Sequence, residues 1–248
     1  MKKLIALLVI LAACLSLNNT TTFSQPQIKV HVTGGYNLPL PDLKGEQTFT
    51  TIEKDTYGMK SGFNAGADVK YYLGKKRNVG ITLGLNYNMF SNNVDSTIAG
   101  TTYAQKNKIN IFQAALGVEY NFMPKGKTQP FLGVAFTGNF FSGSSKTDPL
   151  PTGGAEITLK SASRFGVKVG GGLDFKLSKS VGAIVGFDYN IANLIGKDSA
   201  TSTVTNEVTL MDKEFTVGTT SFKSRSISYI NIYAGVSFFF NEPKKMKK

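Results

Sequence analysis

At 248 residues and 41% hydrophobic, the chain is too apolar to stay disordered, and its length suits one large all-β unit as readily as two domains. Eighteen Phe, ten Tyr and 26 Gly stand beside no Trp and one Cys, which leaves no partner for an intrachain disulfide. The formal charge of +12 would suit nucleic acid, but the basic residues form no single stripe, and no stretch after residue 17 is apolar long enough to cross a bilayer as a helix.

The first residues read as an export leader. Lys2 and Lys3 give a basic start, and residues 4–17 form an apolar core too short to span. Two processing routes are open. Cleavage after Thr22-Phe23-Ser24 would leave a chain beginning at Gln25 with no cysteine. Alternatively, Leu11-Ala12-Ala13-Cys14 has the pattern of a bacterial lipobox, in which Cys14 would be lipidated. Cleavage at Ser24 is the expected route, because the apolar core runs past Cys14 through Leu15 and Leu17. It divides the chain into a signal peptide 1–24, a folded unit 25–240 and a basic tail 241–248. Losing Lys2 and Lys3 lowers the formal charge from +12 to +10. For an exported chain of that charge the expected counterpart is an anionic lipid or lipopolysaccharide surface, and no nucleic acid.

Eight segments then alternate with a period of two, the mark of strands with one apolar and one polar face. They are residues 27–37, 59–73, 79–90, 108–122, 130–141, 164–177, 181–190 and 225–240. The third sets Val79, Ile81, Leu83, Leu85, Tyr87 and Met89 against Gly80, Thr82, Gly84, Asn86 and Asn88. In the fourth, Ile109 and Ile111 fall on the otherwise polar face. Segments of this length fit the roughly 9–11 residues with which a tilted strand crosses a bilayer.

The connections alternate as well. They are short at 74–78, 123–129 and 178–180, and long and polar elsewhere, as at 39–58, 142–161 and 192–224. A membrane barrel has this asymmetry, with short periplasmic turns and long exterior loops, and it places both termini on the periplasmic side. Alternating Thr and Val in 201–222 predict a hairpin that prolongs the last two strands outward.

Which face is inside follows from size. Large apolar residues from eight strands would crowd a lumen barely wide enough for side chains, whereas the other face carries Gly80, Gly84, Gly166, Gly170, Gly172, Gly182 and Gly186. With Lys168 on the lipid side instead, the midplane penalty would be roughly 2–4 kcal/mol. The sheet must also close, since an open edge leaves backbone groups unpaired in hydrocarbon. The expected fold is therefore all-β: an eight-stranded antiparallel transmembrane β-barrel, an up-and-down meander, apolar outside. Tyr36, Tyr71, Phe90, Phe122, Phe141 and Tyr189 are read as its interfacial aromatic girdles.

With its leader, its alternation and its last strand SISYINIYAGVSFFF, the chain resembles the small eight-stranded outer-membrane β-barrels of Gram-negative bacteria, over residues 25–248. The resemblance implies that Phe238 and Phe240 form the aromatic signal read by the barrel-assembly machinery. Phe240 is followed here by Asn241-Glu242-Pro243 and a lysine-rich tail, whereas the family's terminal Phe usually ends the chain.

The interior charges are the main candidate site: Lys60, Lys70, Arg164, Lys168 and Lys176 with Asp68, Glu119, Asp174 and Asp188, and Lys29 nearby. A charge buried without a partner is costly, so these groups are expected to pair. Paired throughout they plug the lumen; incompletely paired they line a thin channel or gate. His31, the sole histidine, has no identifiable nucleophile or further ligand beside it, so no enzyme activity, metal or cofactor is expected. The expected role is structural or interactional, a monomer displaying loops for adhesion or surface protection. The alternative is a narrow porin-like channel for ions or small solutes.

Overall fold

The alternation becomes a closed ring in the computed structural model, which describes residues 26–45, 56–98, 100–149, 156–217 and 219–240. Cys14, the cleavage site and the tail 241–248 lie outside these residues. Eleven strands follow in chain order: β1 (Ile28–Pro39), β2 (Ser61–Tyr72), β3 (Val79–Ile98), β4 (Thr101–Asn121), β5 (Thr128–Asp148), β6 (Ile157–Lys176), β7 (Val181–Ile195), β8 (Glu207–Val208), β9 (Phe215–Val217), β10 (Thr220–Phe222) and β11 (Ser228–Phe240). Strands β1 to β7 and β11 form the barrel. Each pairs antiparallel with its chain neighbour, and β1 closes on β11, from Ile28 opposite Phe240 to Pro39 opposite Tyr229.

The apolar face points out. Phe63, Leu83, Leu116, Leu132, Phe187 and Ile232 are each more than half exposed. In water such a band would be unstable; in lipid it is the solvated side. The interior is polar and narrow. At Gly235 a side chain would press its Cβ to 2.1 Å from the Val32 carbonyl oxygen, so only glycine lets β1 and β11 approach there.

Four strands outrun the segments that alternation marked. β3 to β6 are 20 or 21 residues long, about twice what a bilayer requires. The supposed connection 91–107 is largely the distal ladder of β3 and β4, and much of 142–161 belongs to β5 and β6. Alternation marks the part of a strand that lies in lipid. The hydrogen-bonded ladder continues into water without needing an apolar face.

The loop-side interior reverses the rule. Phe90 and Phe141, read as girdle aromatics, turn inward and are 1% and 2% exposed. They meet Ile109, Ile111, Met59 and Tyr229 in an apolar cluster inside the barrel's mouth. Ile109 and Ile111 therefore keep strand parity; beyond the bilayer level it is the inside that is greasy. Connections close over this cluster, contributing Leu43, Tyr57, Leu210 and Ile227.

The expected outward hairpin in 201–222 is replaced by two smaller features. β9 and β10 pair only with each other, with Phe215 and Phe222 stacked at 4.6 Å. β8 pairs parallel with β6, and residues 208–212 fold into the mouth. Burying Leu210 and pairing Asp212 favours this inward course over a longer ladder.

Candidate functional site

Tilted strands carry every second residue into the barrel, so groups far apart in sequence meet across it. Three tiers result.

The tier nearest the short turns is ionic. Lys29 Nζ on β1 lies 2.8 Å from Asp174 Oδ2 on β6 and donates to Gln129 Oε1 at 2.6 Å. Ser237 Oγ donates to the other Asp174 oxygen at 2.7 Å. Lys70 on β2 pairs with Glu119 on β4, which also accepts from the Tyr72 hydroxyl. Aromatic faces cover these ammonium groups: Phe131 lies 4.1 Å from Lys70 Nζ, and Phe239 lies 5.4 Å from Lys176 Nζ. His31 sits between two carboxylates, Nδ1 3.1 Å from Asp68 and Nε2 3.5 Å from Asp174. Neither nitrogen makes a well-aligned hydrogen bond. Lys168 and Asp188 meet at 3.3 Å beside a cavity of about 70 Å³ that Asp68, Glu119 and Tyr233 also line. It has room for a few waters.

The middle tier is made of neutral amides. Asn64 donates to Asn37 at 2.6 Å, while Asn37 and Asn231 both donate to Asn88, at 3.3 and 3.2 Å. Gln113 Nε2 donates to Asn139 at 2.9 Å and to Asn190 at 3.2 Å. These amides come from seven of the eight barrel strands, all but β6.

The third tier is the apolar cluster, and an ionic latch holds its cover. Arg164 Nε and a terminal nitrogen bind the two Asp212 oxygens at 3.0 and 2.9 Å. Asn193 Nδ2 and the Asp198 backbone N–H donate to the same carboxylate. Burial acts to raise the Asp212 carboxyl, but the Arg164 hydrogen bonds and those from Asp198 and Asn193 outweigh it and hold it below the usual carboxylate range. Arg225 packs 4.1 Å from the Tyr57 ring and donates to the Leu210 and Met211 carbonyls. Burial pushes the Tyr57 hydroxyl upward, and it donates to the Leu210 carbonyl at 2.8 Å.

The geometry thus joins Asp68, Lys70, Glu119 and Asp174 with Lys29 and His31, and pairs Lys168 with Asp188. Lys176 lies buried beside Phe239. Two candidates depart from the expectation. Lys60 precedes β2 and is exposed, outside the buried set. Arg164 faces inward but pairs with a loop residue, Asp212, at the mouth. Asp212 and the asparagine tier carry no alternation or spacing signal that links them to their partners. Phe238 and Phe240 point outward, 37% and 49% exposed, on either side of the buried Phe239.

A family model described as outer membrane protein beta-barrel domain matches residues 5–240. No curated protein sequence matches the chain. Among solved structures, Neisserial surface protein A is 13% identical, with a TM-score of 0.49 over 88% of this chain and 100% of that one. The outer membrane protein OprG of Pseudomonas aeruginosa is 14% identical, with a TM-score of 0.48 over 88% of this chain and 98% of its own. The N-terminal barrel domain of Pseudomonas aeruginosa OprF is 11% identical, with a TM-score of 0.44 over 88% and 100% of the two chains.

Proposed function

The chain belongs to the outer membrane protein beta-barrel family, and on that premise we propose that it is a closed barrel of the bacterial outer membrane that works through the surface it displays. Its loops face the exterior for adhesion or surface protection, both termini are periplasmic, and the barrel is a monomer. Assembly reads the outward pair Phe238 and Phe240.

The observation that carries this reading is the filling of the interior along its length. Ion pairs, amides and an apolar cluster follow one another from the short turns to the mouth. Such a lumen offers ions no continuous wet path. Two long side chains held in a buried pair also gain little by separating, because each would be left as an uncompensated charge. The long connections supply the polar surface outside this plug.

The test is single-channel recording of the refolded chain 25–248 in a planar bilayer, with folding confirmed by an unboiled-gel mobility shift. A folded barrel that stays silent is the expected result. Reproducible steps that change on charge reversal at Lys168 or Asp174 would turn the lumen into a solute path and replace this reading with the channel.

A further inference from the structure

Just past the lipid-facing band, the outer wall of β3 to β6 carries a groove beneath a patch of lysines. Tyr87, Phe112, Phe140 and Ser163 stand opposite one another in register across these four strands. A β-bulge follows, where Phe141 faces Ala162 but Gly143 faces Leu159, so Ser142 alone opposes Lys160 and Ser161. A regular strand would turn one of those two inward; here both are exposed. The irregularity opens a groove of about 420 Å³ on the outside of the barrel, with aromatic rings on one side and Ser142, Ser161 and Ser163 on the other.

Lysines gather above it. Lys108 is four residues beyond Phe112 on the same outward face, roughly 13 Å along the strand, a rise that brings its ammonium into the headgroup layer of a tilted barrel. Lys106 and Lys146 stand directly opposite each other, an arrangement of like charges that destabilises a strand pair unless an anion bridges it. Lys160 flanks the groove itself. All four are exposed, and none has an ion-pair partner among the described residues. Of the acids of this face, Asp95 and Asp148 lie two residues farther out along their strands, and Glu156, one position past the Ser145–Ile157 pair, is level with Lys146.

We propose that this groove and its four lysines bind the phosphorylated sugar headgroup of an outer-leaflet glycolipid. The phosphate meets Lys106, Lys108, Lys146 and Lys160, the sugar meets the serine hydroxyls, and an acyl chain descends over Phe112 and Phe140. Aromatic rings without cations would suit any lipid, and cations without a groove would suit any anion. Their superposition at one rim, with hydroxyls between them, selects a phosphorylated glycolipid. The assignment of that rim to the outer leaflet rests on the orientation proposed above, but binding in micelles does not.

The test titrates bisphosphorylated lipid A onto the folded protein in neutral detergent micelles and counts bound lipid by native mass spectrometry. Dephosphorylated lipid A and phosphatidylglycerol serve as comparison probes. Lipid A is expected to bind about tenfold or more tightly than either. K108Q/K160Q should remove most of that margin, and Ser142→Trp, which fills the groove, should weaken binding with all four lysines intact. K75Q/K76Q, at the opposite rim, should bind as the unaltered protein does. Equal binding of the dephosphorylated lipid or of phosphatidylglycerol, or an equal loss in K75Q/K76Q, would overturn the proposal. None of these outcomes bears on whether the lumen conducts.

Discussion

Asp212 shows how one carboxylate holds a whole connection in place. It accepts from Arg164, Asn193 and the Asp198 backbone, and it is fully buried at the mouth. Its folded pKa lies below the ordinary value. The stability it contributes is therefore complete above the usual carboxylate pKa of about 3.9 and is lost as the pH falls through the lower folded value. Amide exchange over residues 193–227, corrected for intrinsic rates, should keep its protection from neutral pH down to about 4 and lose it below. Protection that already fades between pH 7 and pH 5 would assign the hold to another group. Asp212→Asn leaves Arg164 without its counter-charge. After allowance for water at the rim, it should weaken the cap by about 2 kcal/mol at neutral pH, read as faster exchange of the same amides.

Among the elements, β1 and β11 deserve comparison with β3 to β6. The first pair has 12 and 13 residues and closes the ring; the long four rise well above it. Closure depends on close approach, since Gly235 places its Cα against the β1 backbone where a Cβ would meet the Val32 carbonyl. That oxygen belongs to a ladder and cannot step aside. Gly235→Ala should destabilise the barrel by about 1–3 kcal/mol, seen as a lower urea midpoint for the gel-shifted form. An unchanged midpoint would mean that the seam has slack. The long strands expose a different lesson. Their lipid-facing stretches were legible from alternation, but their distal halves, rich in Asn, Ser, Thr and Lys, look like loop because water imposes no alternation on a ladder.

At the level of the whole molecule, the proposed plug consists of tiers standing in series along the barrel. The loop cover supplies Leu210 and the Asp212 latch, while Lys29–Asp174 and Lys70–Glu119 lie near the opposite end. Removing one closure leaves the other. A variant lacking residues 199–223 should fold, shift on an unboiled gel and remain silent in a bilayer. Current steps from that deletion alone would show that the cover is the only barrier and that the ionic tier is permeable. Among the described residues, the pairs Lys29–Asp174, Lys70–Glu119 and Lys168–Asp188 include no residue of the long connections.

The ring follows from local patterning of the chain. Period-two alternation, inward glycines and the long-short rhythm of connections follow from local rules, because lipid and a narrow lumen each demand a fixed residue type at every second position. The same patterning marks most of the interior charges, since an ionisable group on the inner face stands out against glycine and asparagine. Partnership, by contrast, is set by the three-dimensional fold. Lys29 with Asp174 and Arg164 with Asp212 are 145 and 48 residues apart, and their meeting depends on barrel register and on the course of a connection. The inward turn of Phe90, Phe141, Ile109 and Ile111 has the same origin. Strand parity fixed their side, and only the loops folded over the mouth made that side dry.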